Sequence, residues 1–287
     1  MMGSRTYGRR LAKRASRLVT VPTTGLRGLP DFLIIGAQRC GTTSLYRYLC
    51  AHPCVQPAVL NKGIHYFDTN HQRGTAWYRS HFPSEPYKAY LKRRRRVEMM
   101  LTGEGSPYYL FHPLAPIWIA EELPDARFVV MLRDPVGRAY SHYQHEVSRG
   151  FESLPFAEAL EREQERLAGE EERIVADPAY RSFAHQHHSY VARGLYLDQI
   201  RRWHGAVPAD RLLVLDSSAF FADPDAGYQE VLRFLGLAGW TLPAYRQLNA
   251  HTYSSMPGSA RDDLRERFRK PNRALAEYLG RSFAWAT

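Results

Sequence analysis

The chain has 287 residues, 44% of them hydrophobic and 24% charged, which is ordinary for a soluble globular protein and ample for one large α/β domain. A net charge of +10 points to an anionic ligand, but the arginines are scattered, so nucleic acid is not the first reading. No apolar stretch approaches the roughly 18 residues needed to span a bilayer, and Cys40, Cys50 and Cys54 form neither a paired framework nor a metal spacing, which suits a reducing cytoplasm.

Residues 1–30 are basic and punctuated by Gly and Pro, and read as an arm ahead of a domain over 31–287. Arg9-Arg10 is followed by Leu11 to Arg17, which contains no apolar h-region, so no export signal is read. Phe32 to Ile35 then predicts a buried strand that stops at Gly36. The following Gly-x-x-x-x-Gly-Thr-Thr bends into a helix starting near Thr42 or Thr43. Such a loop aims backbone N–H groups and a positive helix end at one point, which makes a phosphate site. A nucleotide-triphosphatase loop carries Lys directly after its second Gly. Here Thr42 stands in that place, and the cation is at Arg39, two residues before Gly41. Cys50 and Cys54 read as small apolar residues at the end of the first helix.

Further along, Lys92-Arg93-Arg94-Arg95-Arg96 is the most basic spot. It lacks interleaved aromatics and reads as a solvated loop, or as a rim attracting acidic substrate. A short strand from Val97 to Leu101 leads into Gly103-Glu104. Ala126 to Leu132 predicts a strand ending at Arg133, with Asp134-Pro135 as cap and first turn of a helix running to about Arg149. Phe156 to Ile174, dense in Glu and Arg, predicts a solvated helix with ion pairs along it. A third unit runs from Arg211 to Leu215, then through Ala222-Asp223-Pro224 into a helix ending near Leu235. Apolar runs alternating with helical patterns predict an α/β fold, a three-layer parallel sheet with helices on both faces. No internal repeat is present.

In open parallel sheets ligands sit at the carboxyl ends of the strands. Arg39, Glu104 and Arg133 all follow apolar runs and should therefore converge. Arg133 closes its strand and Ser141 lies about two turns along the next helix, so the pair could grip a second phosphate. A salt-bridged Arg133 with a merely packed Ser141 is the alternative. No metal-ligand cluster is seen.

Together these features resemble the sulfotransferases that use 3′-phosphoadenosine 5′-phosphosulfate, above all the heparan-sulfate-type branch and its bacterial relatives, with a P-loop-like sulfotransferase fold. The matching stretches are Phe32 to Gly36 with Gly41-Thr42-Thr43-Ser44, His65-Tyr66-Phe67-Asp68, Gly103 to Tyr109, Leu132-Arg133-Asp134-Pro135 with Ser141-His142-Tyr143, Arg193 to Tyr196 with Trp203, and Pro271-Asn272 with Leu279-Gly280-Arg281. They span about residues 31–285. The resemblance implies a sulfuryl donor held at Arg39, Cys40, Gly41, Thr42, Thr43 and Ser44 by its 5′-phosphate, and at Arg133 and Ser141 by its 3′-phosphate, with no metal. Tyr253 is a further candidate, against the adenine or packed in the core. The branch usually has Lys at the Arg39 position; Arg keeps the charge but acts by electrostatics and not as an acid.

The acceptor needs a base. The branch places an acidic residue two positions before the His of its His-Tyr/Phe-Phe-Asp motif, and here that position is Gly63. It also places a Lys after the Glu of the Gly-Glu motif, and here that position is Gly105. His65 is the nearest substitute base, with a structural His as the alternative, and Glu104 is held in reserve. The group His185-Gln186-His187-His188 reads as surface or acceptor-site residues. Tyr66, Trp77 and Tyr78 could stack on a sugar ring or belong to the core. The implied activity is transfer to a hydroxyl, or less readily an amine, of a carbohydrate or glycosylated metabolite, in the cytoplasm and without nucleic acid. The competing readings are a nucleotide-binding protein of the same fold that lost activity with Gly63 and Gly105, and a P-loop kinase or triphosphatase, the latter weakened by Thr42 and by the Arg133/Ser141 pair.

Overall fold

A computed structural model describes residues 20–59, 61–248 and 255–286. Five parallel strands form one sheet: β1 (Phe32–Gly36), β2 (Val55–Pro57), β3 (Leu101–Glu104), β4 (Arg127–Leu132) and β5 (Leu212–Asp216), in the order β2-β3-β1-β4-β5. All of β1 is buried, as is β4 beyond Arg127, because helices cover the sheet and no face needs polar alternation. Register places Phe32 beside Gly103 on one side and Arg127 on the other, and Val129 beside Leu213.

From β1 the chain winds to one side, through helix α1 (Thr42–Ala51) to β2. Between β2 and β3 lie α2 (Tyr66–Thr69), α3 (Gly74–Arg79) and α4 (Glu85–Arg95), and α5 (Ala115–Glu122) precedes β4. From β4 the chain winds the other way, through α6 (Pro135–Ser148), α7 (Phe156–Glu161), α8 (Glu163–Leu167), α9 (Glu170–Ala176), α10 (Phe183–His187) and α11 (Tyr196–Ala206), to β5. Crossovers in parallel sheets are right-handed, so opposite winding puts α1 and α6 on opposite faces. The reversal opens a crevice beyond the carboxyl ends of β1 and β4. After β5 come α12 (Ser217–Ala222), α13 (Pro224–Phe234) and α14 (Gly258–Leu279). Phe220 and Tyr228 pack on Tyr48 of α1, while Phe268 and Leu264 of α14 join Val136, Ala139 and Tyr140 of α6 in a second apolar cluster. Among the described residues no helix is long and apolar enough to cross a membrane.

The caps are where the sequence places them. The Asp134 carboxylate accepts from the N–H groups of Val136 and Gly137 at 3.1 and 3.0 Å, and Asp223 accepts from Ala226 N–H at 3.1 Å. Three expectations need correction, and one strand escapes the sequence. The third strand starts at Leu101, so Glu104 closes it; Val97 to Met100 stay outside the sheet. The edge strand β2 has three residues, too few to show as an apolar run. The stretch over 156–174 falls in three short helices, broken at Arg162 and again where Gly169 takes φ +74°, and Glu163 within it is buried, accepting from the backbone N–H groups of Val191 and Ala192. The basic run is the exposed last turn and cap of α4, with Arg95 donating to the Pro53 carbonyl at 2.8 Å. Cys40 is buried, Cys50 and Cys54 are half-buried, and all three are free thiols.

Candidate active site

The crevice is a cleft of about 1170 Å³. One wall is the loop after β1. Gly41 caps α1 with φ +90°, and a methyl there would land 2.4 Å from the Phe221 ring, so glycine is required on both counts. Arg39, Thr42 and Thr43 line the cleft beside it. The first-turn amides of α1 have few intrahelical partners, and the positive helix end adds to their pull on an anion. Two expected members of the loop turn away from the cleft. The Cys40 thiol packs into the core, 3.9 Å from Tyr196 Oη, and burial pushes its pKa up to about 11. Ser44 is buried, its Oγ accepting from Leu248 N–H at 2.8 Å, so it braces the segment ahead of α14 and offers no hydroxyl to a ligand. Tyr253 lies outside the described residues.

Arg133 and Ser141 line the same cleft, and Ser141 is joined to the loop after β1. Arg133 follows β4, and a methyl on Gly137 would lie 3.3 Å from its Nη2, so the guanidinium lies over the first turn of α6. Ser141, one turn further, accepts a hydrogen bond at 3.1 Å from Arg39 Nε. Arg39 takes φ +69° to do this, and His65 takes φ +57°. Among the described residues these are two of the three non-glycine positions with positive φ, and both face this cleft, where such backbone cost tends to concentrate.

The opposite wall is the segment from Asn61 to Asn70, fastened by Glu104. Its carboxylate accepts from Ile64 N–H at 2.9 Å, Ser106 Oγ at 2.6 Å, Tyr109 Oη at 2.8 Å and Tyr78 Oη at 3.0 Å. Burial raises its pKa, yet four donors hold it and no surface is left for an acceptor. Glu104 is thus a frame for the loop, not a group in the cleft. His65 N–H donates to Ser106 Oγ at 3.0 Å, and Tyr66 N–H to Tyr109 Oη at 2.7 Å.

This frame presents the His65 imidazole to the cleft with a partner behind it. Nδ1 and Asp68 Oδ2 are 2.7 Å apart, with Asp68 fully buried and 39% of the His65 side chain exposed. The carboxylate raises the His65 pKa above its usual value, outweighing burial. Burial pushes Asp68 up, but the charge and hydrogen bond of His65 outweigh it and hold the acid low. With Nδ1 donating to Asp68, Nε2 keeps its lone pair and can accept a proton. It lies 3.4 Å from where a Cβ on Gly63 would sit, so the imidazole fills the place beside residue 63 where the resemblance leads one to expect a carboxylate.

Some residues are where the sequence leaves them open, and others escape it. Tyr66 and Tyr78 are core and stack on each other at 4.4 Å, and Trp77 packs against the core; none of the three lines the cleft. The cleft aromatics are Tyr108, Tyr140 and Phe221. Of the histidine cluster, His185 and His187 are buried, bonded to Tyr108 Oη at 2.7 Å and to Glu146 at 3.0 Å, and only His187 with Gln186 borders the cleft. Arg193 is buried beneath the wall, over the Tyr108 ring at 4.5 Å and hydrogen-bonded to Gln38. Lys62 is a cleft cation that the sequence reading did not single out. Its Nζ donates to Thr42 Oγ1 at 3.2 Å and Thr43 Oγ1 at 3.1 Å, in the first turn of α1. The one signal pointing to it is Gly105, an expected lysine that is missing from a loop adjoining Lys62.

A family model described as a sulfotransferase domain matches residues 29–273. Heparan sulfate glucosamine 3-O-sulfotransferase 3A1 of Mus musculus is 27% identical over 91% of this chain and 65% of its own length. The bifunctional heparan sulfate N-deacetylase/N-sulfotransferase 3 of Homo sapiens is 30% identical over 80% of this chain and 24% of its own. The chain thus spans just under two thirds of the first of these relatives and a quarter of the second. Among solved structures, a sulfotransferase from Alicyclobacillus acidocaldarius superposes with a TM-score of 0.63 at 29% identity, covering 91% of this chain and all of that one. With the family model matching most of this chain, the chain belongs to the sulfotransferase domain family.

Proposed function

We propose that this protein transfers the sulfuryl group of 3′-phosphoadenosine 5′-phosphosulfate to a hydroxyl, or less readily an amine, of a carbohydrate or glycosylated metabolite. The observation that carries the reading is the 3.1 Å bond from Arg39 to Ser141, which ties the phosphate loop to a second anion grip across one cleft. A donor with phosphates at both ends of its ribose needs two such grips, and a nucleoside triphosphate does not. The residues fit it. Gly41, Thr42 and Thr43 would hold the 5′-phosphate by backbone N–H groups, with Arg39 beside them, and Arg133 and Ser141 would hold the 3′-phosphate. The donor supplies an activated sulfur whose leaving group is a phosphate.

The chain supplies the rest. His65 Nε2 accepts the acceptor's proton as the acceptor oxygen attacks, and buried Asp68 stabilises the imidazolium that forms; such a base contributes about 10²–10⁴-fold. Glu104 positions the segment from Ile64 to Asp68 and touches no substrate. The names of the relatives, a heparan sulfate glucosamine 3-O-sulfotransferase and a heparan sulfate N-deacetylase/N-sulfotransferase, support a carbohydrate acceptor. The three free thiols support a reducing, cytoplasmic setting.

The test is a thermal-shift comparison followed by turnover. Adenosine 3′,5′-bisphosphate should stabilise the protein, whereas ATP with magnesium should do so weakly or not at all, and labelled sulfate should pass to an acceptor in a carbohydrate screen. Stabilisation by ATP with magnesium in preference to the bisphosphate would overturn the reading.

A further inference from the structure

Lys62 is a cation without a task in the chemistry above. The loop between β2 and α2 delivers it, and the Lys62 carbonyl is fixed there by Gly105 N–H at 2.8 Å. Its ammonium is drawn into the first turn of α1, onto the hydroxyls of Thr42 and Thr43 at 3.2 and 3.1 Å. To reach them the side chain passes directly over Gly105: a methyl on that residue would come 2.8 Å from Cε and 3.5 Å from Nζ. Burial lowers its pKa to about 7, with Glu104 pulling the other way, and Glu104 is already held by four other donors. A half-buried ammonium at the positive end of a helix, bonded to neutral hydroxyls, is poorly placed unless an anion joins it. Lys62, Thr42 and Thr43 all line the same cleft.

We propose that Lys62 is the cation that neutralises the leaving phosphate in this protein, and that residue 105 is glycine because the lysine crosses it. The proposal rests on the sulfuryl-transfer reading. The acceptor oxygen forms its bond to sulfur and its proton passes to His65 Nε2. The sulfur–oxygen bond to the phosphate breaks, and the electron pair stays on that phosphate oxygen. Lys62 donates a hydrogen bond to the phosphate as its charge grows, without giving up its proton. Arg39, committed in part to Ser141, is then shared between the two grips, and the 5′ end keeps a cation of its own.

The geometry makes a reciprocal test available, because a lysine at 105 would occupy the space the Lys62 stem now fills. Lys62→Ala, Lys62→Ala/Gly105→Lys and the parent are compared by calorimetric titration with adenosine 3′,5′-bisphosphate and by turnover. Lys62→Ala should weaken the bisphosphate about ten-fold and cut kcat about 10²-fold. The double variant should recover most of the affinity and at least about ten-fold of the turnover, which a role confined to packing at residue 62 would not produce. Lys62→Met keeps the stem and carries the same expectation if the alanine variant does not fold. Parent-like affinity and turnover in Lys62→Ala or Lys62→Met overturn the proposal, as does a double variant no better than the single. A parent protein that fails to bind the bisphosphate overturns the donor reading itself, and this proposal with it.

Discussion

Replacing Asp68 by Asn tests the His65 base most directly, since it removes one charge and little volume. Nδ1 of His65 and Oδ2 of Asp68 are 2.7 Å apart, and the carboxylate is fully buried. The Asp68 charge and hydrogen bond both favour protonated His65, so the carboxylate holds the His65 pKa above its usual value. Because 39% of the His65 side chain is exposed, solvent screening moderates that effect. The sign follows from the role. Only neutral His65 accepts a proton, so activity in the parent is lost as pH falls through a value raised above the usual one, near 6.5. In Asp68→Asn that acid limb should move to lower pH. The plateau should also fall, about ten-fold or more, because the imidazolium loses its main stabilising charge and the introduced amide can stabilise the wrong tautomer. The assay is kcat/KM for labelled sulfuryl transfer across about pH 5 to 9. His65→Ala should lose the limb altogether, with a drop of about 10²-fold and the bisphosphate affinity intact. An acid limb that stays where it is in Asp68→Asn, with an unchanged plateau, would refute the dyad.

Two further outcomes separate binding from framing. Arg133→Ala should weaken adenosine 3′,5′-bisphosphate by one to two decades, the equivalent of a charge-assisted bond of about 1.5–3 kcal/mol, while adenosine 5′-monophosphate loses little; equal losses in calorimetry would remove Arg133 from the 3′ grip. Glu104→Ala strips the partner from four donors that are buried or nearly so, and chemical denaturation should show a loss of at least about 3 kcal/mol. Glu104→Gln should keep the nucleotide bound and retain measurable turnover; complete loss of turnover with binding intact would make Glu104 the base instead of His65.

The amino-acid sequence by itself determined the elements whose signals are local. The apolar runs before Gly36, Arg133 and Asp216 became strands, the first buried throughout and the second beyond Arg127, and Asp134 and Asp223 capped helices after them. The phosphate loop was legible for the same reason: Gly41 and two threonines at a strand-to-helix turn carry their meaning within a few residues. Arg133 and Ser141, on one strand end and the helix after it, could be read as one grip. Strand β2, at three residues, and the start of β3 were not legible, since register with neighbouring strands and not composition sets such short edges.

Tertiary structure decided which way the site's side chains point. Ser44 and Cys40 have the right place in the loop, but Leu248 and Tyr196, far along the chain, draw them inward. Glu104 reads as a cleft carboxylate until Tyr78, Tyr109, Ser106 and Ile64 close around it. Lys62 sits 19 and 20 residues from the threonines it contacts, and its route exists only because Gly105 passes beneath it. Caps, turns and apolar runs depend on neighbours in sequence. The direction of a charge in a cleft depends on loops brought together from distant strands, and no local pattern encodes which of them will adjoin.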